Sequence, residues 1–117
     1  MYTIFAQNYI ESGFSLDDSN KLVNCINDAL KTSDNEKIVI DFSGVKFFTT
    51  QFFNNSLGKY IIQMSPKIFD EKFEIVNLTD VGQATFRHSY DNAVSYYNLP
   101  PDKRLAQDNI INQIEDL

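Results

Sequence analysis

Few residues in this chain are of types that do chemistry, and the most suggestive are two adjacent hydroxyls. Thr49 and Thr50 stand immediately before an apolar helical pattern. A hydroxyl there can cap the helix by accepting from an early backbone N–H. It can also receive a phosphoryl group, whose charge the positive end of the helix dipole favours. Capping is the plainer reading, because nearly every helix start carries such a residue. Asp41 and Asp80 come next, both near the C-terminal ends of strand-like runs, where open α/β sheets bind ligands. Two carboxylates there can hold Mg²⁺ or act as an acid–base pair. No third acid stands at a telling spacing, and each has a local structural role. Asp41 is placed to accept from the amides of Ser43 and Gly44, and Asp80 to favour a helix N-terminus.

The remaining reactive types point to packing and solvent. Cys25 lies about 95° from the middle of its helix's apolar stripe and has no base nearby in sequence, so it reads as a boundary packing residue. His88 falls opposite Phe86 and Tyr90, on a polar face with Gln83, Arg87, Asp91 and Ser95. One histidine with no Cys or His partner makes a poor metal site. Gly13, Gly44, Gly58 and Gly82 match no phosphate-binding fingerprint. The residues therefore predict no catalytic centre, metal or cofactor.

Composition bounds the rest. A chain of 117 residues has room for one domain, residues 1–117, with a single core. A net charge of −6 removes the electrostatic drive toward nucleic acid and toward an anionic membrane surface. One cysteine excludes an intrachain disulfide. No apolar run approaches the length of a membrane span, and no basic-then-apolar leader opens the chain. The expected compartment is a reducing cytoplasm.

The positioning elements follow from hydrophobic period and stop signals. Tyr2 to Ala6 predicts a first strand, Ile38–Val39–Ile40 a strand buried on both faces, and Lys72 to Val76 a third. Ser15 and Asp18 open a helix whose stripe is Leu22, Val23, Ile26, Ala29 and Leu30. After a Ser43–Gly44 turn, Phe47 and Phe48 re-enter the core. A second helix follows with Phe53, Leu57, Tyr60, Ile61 and Met64 inward, stopped by Ser65–Pro66. Lys67 to Lys72 reads as a connection. Thr79–Asp80 caps a third helix with Phe86, Tyr90, Ala93, Val94 and Tyr97 inward, ended by Leu99–Pro100–Pro101. A last helix over about 102–116 carries Ala106, Ile110, Ile114 and Leu117. Strands alternating with helices imply an α/β fold with a mixed, mainly parallel sheet and right-handed crossovers.

Ile38 to Tyr60, IVIDFSGVKFFTTQFFNNSLGKY, resembles the central segment of the STAS domain, found in anti-sigma-factor antagonists and sulfate-transporter tails. There a strand ending Asp-Phe/Leu-Ser-Gly-Val leads through an Asp-Ser-Ser-Gly-Leu loop into a helix ending near Leu-Gly. The chain is similar in particular to divergent STAS-like bacterial proteins, over roughly Ile38 to Asn98. The resemblance implies a regulatory module whose loop meets a protein partner, and in anti-sigma-factor antagonists a partner kinase phosphorylates the second Ser. Aligning on Asp41, Val45, Leu57 and Gly58 puts Thr49 on the Asp, Thr50 on the first Ser, Gln51 on the phosphorylated Ser and Phe52 on the Gly. Gln51 has no hydroxyl, so Thr50 is the remaining phosphoacceptor.

Projected on one continuous second helix, Phe52 turns about 120° from the core stripe and Ile62 about 160°. Asn55, Ser56 and Lys59 share that outer face. The expected function is therefore a non-enzymatic, STAS-like regulatory module of a bacterial cytoplasm. It would bind a protein, kinase-like or otherwise regulatory, through Thr49, Thr50, Gln51, Phe52, Asn55, Ser56 and Lys59, with Phe52 as anchor. Two alternatives stand beside it: a small-ligand or nucleotide-binding protein or enzyme using the crevice near Asp41 and Asp80, and a structural subunit that homo-oligomerises through the last helix, a homodimer being one such form.

Overall fold

Among the described residues, three strands form one parallel sheet in the order β1-β2-β3, with β2 in the centre. They are β1 (Tyr2–Phe5), β2 (Ile38–Asp41) and β3 (Phe73–Val76). The computed structural model describes residues 1–32 and 36–100. The last helix expected over 102–116, and any dimerisation through it, lie outside them. Every described pairing is parallel, so the sheet is more uniform than the mixed one expected. The β-branched run of β2 puts Ile38 and Ile40 at 0% exposure on one face and Val39 at 8% on the other. Register aligns Ile4, Ile40 and Ile75 across the sheet, and Ile4 and Ile40 join the core, with Ile75 packed against it. On the opposite face Thr3, Phe5 and Glu74 are exposed.

The described residues form five α-helices beside the sheet: α1 (Leu16–Thr32), α2 (Thr50–Asn55), α3 (Leu57–Met64), α4 (Pro66–Lys72) and α5 (Asp80–Tyr97). The Ser15 hydroxyl accepts from the Asp18 amide at 3.0 Å and opens α1 as its spacing predicts. Leu22, Ile26 and Ala29 are fully buried, while Val23 and Leu30 pack at the margin. Cys25 also sits at that margin, and burial first, then Asp28, pushes its thiol up, away from the nucleophilic thiolate. Thr79 caps α5 by accepting from Gly82 N at 3.0 Å. The deepest line of α5 runs through Gly82, Ser89 and Ala93 rather than through its rings. Phe86 and Tyr90 pack at the margin, because small residues let α5 approach α2 and α3.

The segment after α3 departs from expectation. Lys67 to Lys72 belongs to α4 rather than to a connection. Ser65 adopts φ 92° and accepts from Ile68 N at 3.3 Å, with Pro66 at the first helical position. The Ser-Pro pair that stops α3 therefore also starts α4. Phe69 of α4 stacks on Phe73 at 5.0 Å, tying the helix to the edge of the sheet.

Ile40, like Ile38, is fully enclosed in the central strand. Ile40→Asp should cost several kcal/mol by burying an unpaired carboxylate. Chemical denaturation measures this, and a wild-type midpoint would contradict the placement of β2.

Candidate functional site

The site is built from the loop between β2 and α2. The Phe42–Val45 turn closes with Val45 N donating to Phe42 O at 3.0 Å, and Gly44 takes φ +83°, a conformation a side chain resists. Asp41 Oδ1 holds the turn, accepting from Ser43 N at 2.8 Å, Ser43 Oγ at 2.7 Å and Asn77 Nδ2 at 3.1 Å. The two bonds from Ser43, with that from Asn77, outweigh slight burial and hold the carboxyl below its ordinary range. Asp41 thus caps Ser43 and joins β2 to the end of β3, without the expected bond to Gly44.

The chain then pairs with the segment before α1. Gly13 N donates to Phe47 O at 2.7 Å, Thr49 N donates to Gly13 O at 2.8 Å, and Gly13 bridges Phe48 in parallel. Side chains alternate across an extended segment, so Phe47 and Phe48 face opposite ways. Phe48 turns inward, filling space that a Cβ on Gly13 or Gly82 would occupy. Phe47 turns outward and is 69% exposed. The expectation that both rings re-enter the core is corrected: adjacency in an extended stretch lets only one do so.

Thr49 is the helix cap. Its Oγ1 accepts from Phe52 N at 3.1 Å and donates to the Phe14 carbonyl at 3.4 Å. Thr50 is partly exposed, Gln51 is exposed, and among the described residues no side-chain hydrogen bond holds the Thr50 hydroxyl. These three lie together at the start of α2.

The outer face expected for Phe52 and Ser56 does not form. Phe52 is 1% exposed and Ser56 is 0% exposed. The pattern read as one helix is two, α2 and α3, separated at Ser56, whose φ −116° and ψ −92° are not helical. Ser56 N donates to Phe53 O at 3.2 Å, while its hydroxyl donates to Phe52 O at 2.8 Å. That carbonyl also accepts from Ser19 Oγ of α1 at 3.1 Å. A serine bonding back four residues bends a helix, and here it resets the phase between the two halves. With α1 and α5 both packed against α2, Phe52 and Phe53 both lie in the core. Asn55 is partly buried and Lys59 exposed, on different helices.

Asp41 stands at the end of β2 and Asp80, exposed, in the first turn of α5. A cleft of about 410 Å³ opens instead between β3, α4 and α5, lined by neither. His88 is exposed. Among the described residues no group of three or more His, Cys, Asp or Glu side chains converges to hold a metal ion. No described helix is long and apolar enough to cross a membrane.

The model of the family described as "STAS-like domain of unknown function (DUF4325)" matches residues 20–83, more than half of the chain. The chain belongs to this STAS-like family. The match contains β2, the Asp41–Gly44 turn, Thr49–Gln51, both halves of the broken helix and the cap of α5. No curated protein and no solved structure matches the chain.

Around the STAS-like loop lies a feature that composition does not reveal. Phe14 is 65% exposed, Leu16 58%, Phe47 69% and Val81 65%. All four sit on segments that meet at Phe48 and Thr49: the strip paired with it, the start of α1, the loop itself and the residue before Gly82. The legible signal was the Phe47–Phe48 doublet, since one of two adjacent rings in an extended loop must face out.

Phe52→Ala and Phe53→Ala should each cost about 3–5 kcal/mol of folding free energy. Urea titration of the two variants tests this. A Phe52→Ala midpoint near wild type would place that ring outside the core.

Proposed function

We propose that this STAS-like protein is a non-enzymatic regulatory module that binds another protein through the surface around the start of α2. The observation that carries the reading is the group of exposed apolar side chains, Phe14, Leu16, Phe47 and Val81, on segments that meet beside the partly exposed Thr50 and the exposed Gln51. Scattered apolar side chains on a surface need no explanation, but several on segments that meet at one loop favour an interface. Aromatic side chains supply most hot-spot energy, so Phe47 and Phe14 take the anchoring role that Phe52, being buried, does not have. Thr50 and Gln51 supply polar contacts beside them.

Phe47→Ser and Phe14→Ser remove exposed rings and should leave folding stability within about 0.5 kcal/mol of wild type. Either should weaken partner binding by about 2 kcal/mol. The measurement is recovery of partner from the native host with wild-type and variant protein, followed by titration of what wild type alone retains. Equal recovery by the Phe47→Ser, Phe14→Ser double variant would reject this surface.

The same reading omits an obligate phospho-switch. Gln51 occupies the position aligned with the phosphorylated Ser, and the Thr49 hydroxyl is engaged as a cap. Intact-mass analysis of protein from its native host should show no stoichiometric phosphoryl adduct of about 80 Da. An adduct mapped to Thr50 would restore a kinase as the partner.

A further inference from the structure

The cleft between β3, α4 and α5 has the size of a small-molecule site, about 410 Å³ against a usual range of ~300–1,000 Å³. Its apolar wall is Ile75, Leu78 and Phe86, at and beyond the C-terminal end of β3 and on α5. That end of a parallel sheet is where α/β folds hold ligands. Its polar lining is unusual in carrying one full charge of each sign, Asp70 and Arg87. The two make no ion pair with each other.

Tyr90 contacts both. Its hydroxyl donates to Asp70 Oδ2 at 2.8 Å, and the Arg87 guanidinium lies over its ring at 5.8 Å from the centroid. The carboxylate is therefore held at the hydroxyl of the phenol and the guanidinium over its ring, and both line the cleft. Gln83 is anchored beside them, its Nε2 donating to Leu78 O at 3.2 Å, which leaves its side-chain oxygen as an acceptor.

This charge pattern selects among ligands. A simple anion gains Arg87 but is opposed by Asp70, and a simple cation meets the reverse. A neutral apolar molecule desolvates both charges with no return. A compact molecule carrying both charges satisfies the carboxylate and the guanidinium together. We propose that the cleft binds a small zwitterion, an α-amino acid with an apolar side chain. Its carboxylate lies on Arg87, its ammonium on Asp70 and its side chain over Leu78 and Phe86. Both protein charges are exposed and screened, so discrimination comes from meeting them at once. The site is separate from the surface around Thr50.

The test is titration of the isotope-labelled full chain with L-phenylalanine and L-leucine, followed by amide NMR shifts. Saturable shifts should centre on Asp70, Asn77, Gln83 and Arg87. Phenylpropionate, which lacks the ammonium, and phenethylamine, which lacks the carboxylate, should each bind at least about tenfold more weakly than L-phenylalanine. Arg87→Gln and Asp70→Asn should each reduce L-phenylalanine binding by about tenfold or more at an unchanged melting temperature. Asn can still accept from Tyr90, so the second variant removes charge while retaining that contact. No saturable shift with either amino acid would overturn the proposal. So would equal binding of phenylpropionate, or undiminished binding by Arg87→Gln.

Discussion

One ring, Phe53, holds the STAS-like loop, its helix and the long helix α5 in register. It contacts Phe42 at 6.0 Å, Phe48 at 5.5 Å, Phe52 at 5.2 Å and Phe86 at 5.3 Å, and is itself 0% exposed. These partners come from the turn after β2, the loop, α2 and α5. Most of the contacts are edge-on or tilted, while Phe48 lies nearly parallel at 9°. Each such pair adds roughly 0.5–1.5 kcal/mol beyond its buried area. The larger consequence is geometric: a ring fixed on four sides leaves the loop one way to close.

Closure on Phe48 determines what is left outside. Phe48 occupies the space between Gly13 and Gly82, so the strip before α1 and the first turn of α5 both approach the loop through it. Phe47 then has nowhere to go but outward, and Phe14 and Leu16 are carried to the same end of the molecule. The exposed apolar surface is a consequence of how the core is filled. Any sequence change that kept Phe48 inward would keep position 47 exposed, whatever residue stood there.

The sheet was legible because its signals are local. Three short β-rich runs, each separated by a helical pattern, imply parallel order, and the unbroken Ile38–Ile40 run marks the central strand. Caps at Ser15 and Thr79 and the Ser43–Gly44 turn were legible for the same reason. The site was less so. Projecting Phe52 at 100° per residue assumes a helix without a break, and Ser56 breaks it through a hydroxyl that bonds Phe52 O in place of its own amide. Nothing in the period of Phe53, Leu57, Tyr60 and Ile61 reports that event, since each half keeps its own apolar side inward. The helix α4 was legible in principle, because Ser65–Pro66 is a start signal as well as a stop. The cleft was not, since it needs Asp70 and Arg87 from two elements brought together by Tyr90.

The ring network also joins the two regions that face solvent. Phe48 backs the exposed loop, Phe53 stacks on it, Phe86 packs on Phe53, and Phe86 also lines the cleft and contacts Tyr90 at 6.1 Å. A path of packed side chains is not by itself a signal, because coupling requires an element with two discrete arrangements. Phe53 is too enclosed to supply one, as a close-packed interior resists continuous deformation. Phe86, half-buried like Phe48 and Tyr90, forms the boundary between core and cleft, so it is the link between Phe53 and a ligand held in the cleft. Any influence of the cleft on the loop would therefore have to begin with a change at Phe86. Its size would be set by how differently the two Phe86 positions support Phe53.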